Sequence, residues 1–327
     1  MNILFACDNN YIWLTGVAMI SLFENNTDSE KIDVYLMGDG ISEENKDILG
    51  KLAEKYNRKC IVIDVPDLDI PEELCSSRWP KSAFSRLFAG YHLPESVNKI
   101  LYLDSDIIVN ANIKDLWNTA VDDKIVYGVK DCISKSYRKN LGLNSNAPYV
   151  NAGVLLINVK KLREIQVAKK LEQYVKKYIK RIYYADQDIL NGMLNSEIGT
   201  IEPRYNVMSL QALYSYDDVM KLRHPTNYYD KSEFERAVNS PNIIHYTTCM
   251  LSIRPWFSNT NHPFAASFQK YLALSPWRDV KLQEYQHKKN KRTTILNCFH
   301  KMPHGIGFFL LGWTHSVVVP VFNRMKK

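Results

Sequence analysis

The 327-residue chain has no glycine-rich phosphate loop of the GxGxxG or GxxxxGK[ST] type, which weakens the dinucleotide and P-loop routes to a nucleotide. Its six cysteines, Cys7, Cys60, Cys75, Cys132, Cys249 and Cys298, include no Cys-x-x-Cys pair. Neither a thiolate zinc site nor a disulfide framework is therefore expected, and reduced thiols fit a cytosolic compartment. The opening MNILFACDNN lacks the basic region, long apolar run and small-residue cleavage site of a secretory leader, so the expectation is a protein that stays where it is made. Fixed-period repeats and low-complexity blocks are also missing. What is present, 46% hydrophobic against 24% charged residues, is enough to bury one large core, and disorder is not expected.

The formal charge of +7 is unevenly spread. From residue 281 onward nine basic residues (Lys281, Lys288, Lys289, Lys291, Arg292, Lys301, Arg324, Lys326 and Lys327) face one acid, Glu284, which leaves the preceding chain at −1. A nearly neutral main domain argues against nucleic acid as the partner and assigns the charge to a tail. The composition shift near Pro276 sets the expected boundary: a main domain over 1–276 and a basic, apolar tail over 277–327.

Along the main domain, short apolar runs alternate with segments of helical periodicity. NILFACD precedes YIWLTGVAMISLFENN, and IDVYLMG precedes ISEENKDILGKLAEKY, where Ser42 and Glu44 mark a helix start. CIVIDV, KILYLDSDIIV and IVYGVKD follow as strands, with SAFSRLFAGYHL helical between the first two. NAGVLLINVKKLRE reads as a strand running into a helix that continues to about Arg181. This alternation predicts an α/β fold with a mixed, mainly parallel sheet covered by helices on both faces. Past about Leu210 the pattern loosens, with one short strand at NIIHY, and this segment is expected to cap the active site.

Leu103-Asp104-Ser105-Asp106 ends the apolar run that starts at Ile100. Read as strand residues two apart, Asp104 and Asp106 face one site near the strand's carboxyl end, where open α/β sheets bind ligands. Two neighbouring carboxylates repel unless a cation lies between them, and a hard divalent ion with oxygen ligands would also bridge nucleotide phosphates. The alternative is a solvated strand end. His245 ends the apolar run Ile243-Ile244, and an imidazole joining two carboxylates favours a transition ion such as Mn²⁺. A hydrogen-bonded core histidine is the competing role.

Six ordered fragments give these residues company: Phe5 to Tyr11, Ser85-Arg86-Leu87, Leu103 to Asp106, Asn151 to Asn158, Asp186 to Asn191, and His245-Tyr246 with Pro255-Trp256. Together they resemble glycosyltransferase family 8 from residue 1 to about 256, and within it the bacterial galactosyl- and glucosyltransferases that build lipooligosaccharide, capsule and related surface glycans. The resemblance implies a GT-A fold, a UDP-sugar donor (UDP-glucose or UDP-galactose), Mn²⁺ held by Asp104, Asp106 and His245, and retention of anomeric configuration. It puts Ala6, Asp8, Asn10 and Tyr11 at the uridine, with Tyr11 stacking on the base. Arg86, Asp104, Ser105 and Asp106 then reach the donor, and Asn151-Ala152-Gly153 lets backbone approach the sugar. Asp186 and Gln187 flank the reacting carbon, and Asp131 stands on the side of the glycan, glycolipid or glycoprotein acceptor. Helix capping remains the competing role for Asp186 and Asp188.

The chain departs from the family pattern after His245. The loop to Arg254-Pro255-Trp256 is three residues longer, Thr248 replaces a glycine and Arg254 a lysine, so a planar fork stands where the family has a point charge. Gln187 is a poor nucleophile and Asp186 a possible one, which favours front-face attack over a covalent intermediate. A metal-dependent nucleotide-sugar hydrolase and an inactive nucleotide-sugar-binding protein are the competing classes. In the tail, HKKNKR followed by IGFFLLGWTHSVVVPVF combines cations with apolar and aromatic residues, which predicts an interfacial attachment to the inner face of the cell membrane. A terminal helix docked on the domain is the alternative.

Overall fold

The computed structural model describes residues 1–64, 74, 81–288, 290–300 and 302–325. Cys75 and the tail cations Lys289, Lys301, Lys326 and Lys327 lie outside the described residues.

Among the described residues, ten strands form two sheets. The larger takes β1 (Asn2–Asp8), β2 (Asp33–Asp39), β3 (Lys59–Asp64), β4 (Lys99–Leu103), β6 (Val126–Lys130), β7 (Val150–Asn158) and β8 (Ile198–Thr200) in the order β3-β2-β1-β4-β7-β6-β8. Pairing is parallel from β3 through β4, antiparallel on both sides of β7, and parallel again between β6 and β8. The expected mixed, mainly parallel sheet is present. Alternation along β1 shows how it is sandwiched. Ile3 and Phe5 join the core built on helix Ile12–Glu24, whereas Leu4 joins the one built on helices Val167–Tyr178 and Ala185–Leu194. Strand β7, buried along its whole length, is the spine between them.

Local chemistry explains most boundaries. Ser42 caps helix Glu43–Lys55 by accepting from Asn45 N, with Glu43 and Glu44 in its first turn, where the helix dipole favours acids. Three elements differ from expectation. The helix after β7 stops at Glu164 and restarts at Val167, and Ile179–Arg181 is a 3₁₀ turn. The stretch Lys81–Phe88 is 3₁₀, with α-helix only at Ala89–His92. Beyond Leu210 the chain is well ordered into helices Tyr216–Arg223 and Lys231–Asn239, the second closed by a capping box between Asp230 and Glu233.

The break that matters most lies inside Ile100–Val109. This run is two strands, not one: β4 ends at Leu103 in the large sheet, and β5 (Ile107–Val109) begins a small sheet with β10 (Ile243–His245) and β9 (Val207–Met208). Asp104-Ser105-Asp106 is the turn between the sheets. The two aspartates converge because the turn directs them, and not through strand alternation as the sequence suggested.

The C-terminal segment docks on the domain by one face. Trp277 fills the space over Gly16, and Gly312 lies so close to helix Tyr216–Arg223 that a Cβ there would fall 1.8 Å from Lys221 O. Ser134 Oγ donates to Ser316 O at 2.6 Å and Asn140 Nδ2 to Pro320 O at 2.9 Å. The outer face of the same helix leaves Phe309, Trp313, Phe322 and Met325 exposed. Helix Gly305–Met325, 21 residues long with an 18-residue stretch of mean hydropathy 1.6, meets the length and composition needed to cross a bilayer, although 28% of that stretch is buried against the protein.

Candidate active site

His245 reaches the aspartates by strand pairing. Antiparallel register sets His245 opposite Ile107, the residue after Asp106, and Tyr246 N donates to Asp106 O at 2.9 Å. His245 Nε2 stands 3.1 Å from Asp106 Oδ1 and 3.7 Å from Asp104 Oδ2. One ligand atom from each of the three residues lies within 4.8 Å of the others. Burial pushes the Asp106 pKa up and that of His245 down, but the surrounding charges together outweigh it, His245 with Arg254 on Asp106 and Asp106 with Asp104 on His245, leaving Asp106 below and His245 above its ordinary value.

Two features fit this trio to a cation. Gly153 lies directly behind it: an added Cβ would fall 2.2 Å from His245 Cε1 and 2.8 Å from Asp104 Oδ2. The other ring nitrogen, His245 Nδ1, is 3.0 Å from Asn206 Oδ1, an acceptor that keeps a proton on Nδ1 and makes Nε2, which faces the carboxylates, the nitrogen an ion would bind in place of a proton. Two carboxylates and one imidazole suit a transition ion.

Arg86 ties the trio to the reacting side. Buried, its guanidinium reaches Asp104 Oδ1 at 3.0 Å and Asp186 Oδ2 at 3.1 Å, donates to Ala152 O, and lies over the Tyr102 ring, 4.3 Å from its centroid. Tyr102 OH donates to Asp104 Oδ1 at 2.7 Å. Burial opposes the Arg86 charge, but Asp104 and Asp186 outweigh it and hold the guanidinium firmly protonated. Burial acts on Asp186 in the other direction, and despite Arg86 its pKa is pushed up to about 6.

The Asp186-Gln187 pair opens helix Ala185–Leu194, after Ala185 with a left-handed φ of 44°. The buried carboxylate of Asp188 pins this entry, accepting from Tyr183 N at 2.7 Å and Tyr184 N at 2.8 Å, and from the hydroxyls of Tyr137 and Tyr149 at 2.6 Å each. Gln187 Oε1 accepts from Asn151 Nδ2 at 2.9 Å and Ala152 N at 3.2 Å; Gln187 Nε2 donates to Asp131 Oδ2 at 2.9 Å and Tyr149 OH at 3.1 Å. Asp131, Gln187, Asn151, Ala152, Gly153, Arg86, Asp186 and the trio of Asp104, Asp106 and His245 thus form one connected set.

The expected uridine residues sit at the carboxyl end of β1. The Asp8 carboxylate caps the turn Asn9–Tyr11, accepting from Asn10 N and Tyr11 N, and Tyr11 is 43% exposed. Ala6 is half-buried on the same strand. Ser105 is turned inward, its hydroxyl 2.8 Å from Thr15 Oγ1. The lengthened loop still returns Arg254 to the site: Nη2 is 3.5 Å from Asp106 Oδ2 and donates to Thr248 Oγ1, the group replacing the family's glycine, at 2.8 Å.

Sequence reasoning missed Asn206 and Tyr149. Neither belongs to a local motif, and a single buried asparagine between a 3₁₀ turn and a two-residue strand leaves no periodic signal.

A mainly parallel sheet carrying an Asp-x-Asp turn, with a histidine delivered from a second sheet, defines a GT-A glycosyltransferase. The profile described as "Glycosyl transferase family 8" matches residues 2–260, and the chain belongs to that family. It is similar to General stress protein A of Bacillus subtilis, 23% identical over 86% of this chain and 96% of that protein. It is also similar to a lipopolysaccharide 1,2-glucosyltransferase of Escherichia coli, 27% identical over 88% of this chain and 84% of that one. Among solved structures, the galactosyltransferase LgtC in complex with donor and acceptor sugar analogs superposes with a TM-score of 0.71 at 26% identity, over 85% of this chain and 99% of that chain.

Proposed function

We propose that this glycosyltransferase moves glucose or galactose from a UDP-sugar, held through Mn²⁺, onto a glycan or lipid-linked acceptor in surface-glycan synthesis, with retention of configuration. The convergence of Asp104, Asp106 and His245 over Gly153 carries this reading, supported by similarity to enzymes named for lipopolysaccharide glucosyl and galactosyl transfer. A bound Mn²⁺ would supply positive charge to the diphosphate as UDP departs. Arg254, beside Asp106, adds a cation there. Backbone at Ala152-Gly153 admits the sugar ring, and Asp131, paired with Gln187, orients an acceptor hydroxyl.

Front-face attack suits the two groups nearest the sugar. The Gln187 carbonyl oxygen already accepts two hydrogen bonds, and the Asp186 carboxylate is held by Arg86. The departing β-phosphate oxygen then takes the acceptor proton. Trapping a glycosylated peptide at Asp186 would contradict this route.

The exposed aromatic face of helix Gly305–Met325 supports peripheral attachment to the cytoplasmic face of the cell membrane, near a lipid-linked acceptor. A donor screen with Mn²⁺, read as UDP release with and without candidate glycan acceptors, tests the function. Transfer requires acceptor-dependent turnover; acceptor-independent release alone would indicate a hydrolase, and no release a binding protein.

A further inference from the structure

Asn206 is fully buried and lies between two parts of the site that are far apart along the chain. Its Oδ1 accepts from His245 Nδ1 at 3.0 Å, and its Nδ2 donates to Asn151 Oδ1 at 2.8 Å. Asn151 Nδ2 donates to Gln187 Oε1 at 2.9 Å, and Gln187 Nε2 donates to Asp131 Oδ2 at 2.9 Å. Three amides therefore stand in a row, each donating away from the imidazole and toward Asp131.

Their direction is fixed at several points by groups that cannot flip. Gly153 N donates to Asn151 Oδ1 at 3.0 Å, and Ala152 N donates to Gln187 Oε1 at 3.2 Å, so each of these amides must present oxygen to the backbone. At the far end, a carboxylate oxygen can only accept from Gln187. Reversing Asn206 would set its oxygen against Asn151 Oδ1, which Gly153 N holds in place, so Oδ1 faces the imidazole and Nδ1 must carry the proton. The row has one satisfied arrangement, and in that arrangement His245 Nδ1 keeps a proton, so that Nε2 is the nitrogen left to bind an ion in place of its own proton.

We propose that Asn206 is a positioning residue that makes the metal-binding tautomer of His245 and the orientation of the Gln187 amide a single hydrogen-bonded state. This deepens the reading of the site given above and rests on it. Asn206 touches neither cation nor sugar; it acts through His245 on one side and through Asn151 on the other. The same state aims the Gln187 amide hydrogens at Asp131 and keeps its oxygen occupied.

Asn206→Asp separates the two halves. It keeps an acceptor for His245 Nδ1–H but sets oxygen against Asn151 Oδ1, whereas Asn206→Ala removes both links. In the full chain, Mn²⁺ binding is measured by calorimetry with the metal alone. Turnover is measured as UDP release, at saturating Mn²⁺, from whichever of UDP-glucose and UDP-galactose the wild type cleaves. For Asn206→Asp, Mn²⁺ affinity should stay within about threefold of wild type while kcat falls about tenfold, with KM for the sugar nucleotide unmoved. Asn206→Ala should weaken Mn²⁺ by about 10- to 100-fold and slow turnover as well. Combined with Gln187→Ala, Asn206→Asp should cost nothing further, because the link it breaks is already gone.

The proposal is overturned if Asn206→Asp turns over as wild type, if it loses Mn²⁺ as Asn206→Ala does, or if its loss multiplies with that of Gln187→Ala. Should Asn206→Ala not fold, Asn206→Asp and the double variant still decide. A wild type that neither binds Mn²⁺ nor releases UDP would sink the functional reading itself; a competent wild type with variants off this pattern sinks only the relay.

Discussion

Gly153 and His245 are so closely apposed that a methyl group on Gly153 would fall 2.2 Å from the imidazole Cε1. A strand residue in the large sheet thus shapes the position of a histidine delivered from the small one. Gly153→Ala should displace His245, abolish Mn²⁺ binding, and cost about 1–3 kcal/mol of stability through overpacking. Calorimetric Mn²⁺ titration beside urea unfolding checks both. Unchanged affinity would mean that the imidazole is not held by this contact.

Arg86 joins Asp104 to Asp186 within the core of the site. Removing it leaves two carboxylates without their shared cation, so Arg86→Ala should lose roughly 3–5 kcal/mol in chemical unfolding. Arg86→Lys should recover little, because a lysine cannot reach Asp104, Asp186 and Ala152 O with one planar fork.

The main sheet and most of the site were legible because their signals are local. Alternating strands and helices announced the sheet, and Asp104-Ser105-Asp106, Asn151-Ala152-Gly153 and Asp186-Gln187 are contiguous fragments. The turn between β4 and β5 was hidden because Ile100 to Val109 is apolar on both sides of the acids, and hydropathy does not tell one strand from two. Helix Tyr216–Arg223 was hidden by polar, tyrosine-rich sequence, although Ser215 caps it. The tail's dual character was half-visible. Composition exposes an apolar helix but does not say that Ser316 and Pro320 face protein while Trp313 and Phe322 face outward.

Buried His262, 3.1 Å from Ser209 Oγ, has its pKa lowered by burial from 6.5 to about 4. Because the unfolded chain binds the proton first, this group stabilises the fold above pH 6.5 and loses that contribution as pH falls toward 4, by up to roughly 3 kcal/mol. Asp186, raised to about 6, acts with the opposite sign, destabilising the fold as pH rises from 3.8 to 6. The difference between wild type and His262→Gln in urea unfolding across this range isolates the histidine. It should shrink as pH falls, and a constant difference would contradict the assignment.

The outer face of the C-terminal helix offers a clean test of attachment. Replacing Phe309, Trp313 and Phe322 by serine should abolish sedimentation with anionic liposomes and leave Tm nearly unchanged, because these side chains are about half exposed or more. Persistent sedimentation would remove the membrane role. The inner contacts of Ser316 and Pro320 should be left intact, since they hold the helix to the domain.

A crystal grown with Mn²⁺ and UDP, measured at the manganese absorption edge, tests the central claim most directly. The account predicts one strong anomalous peak bounded by a carboxylate oxygen of Asp104, another of Asp106 and Nε2 of His245, with the diphosphate completing the coordination. A peak elsewhere, or bound UDP with no metal among these three residues, would contradict it.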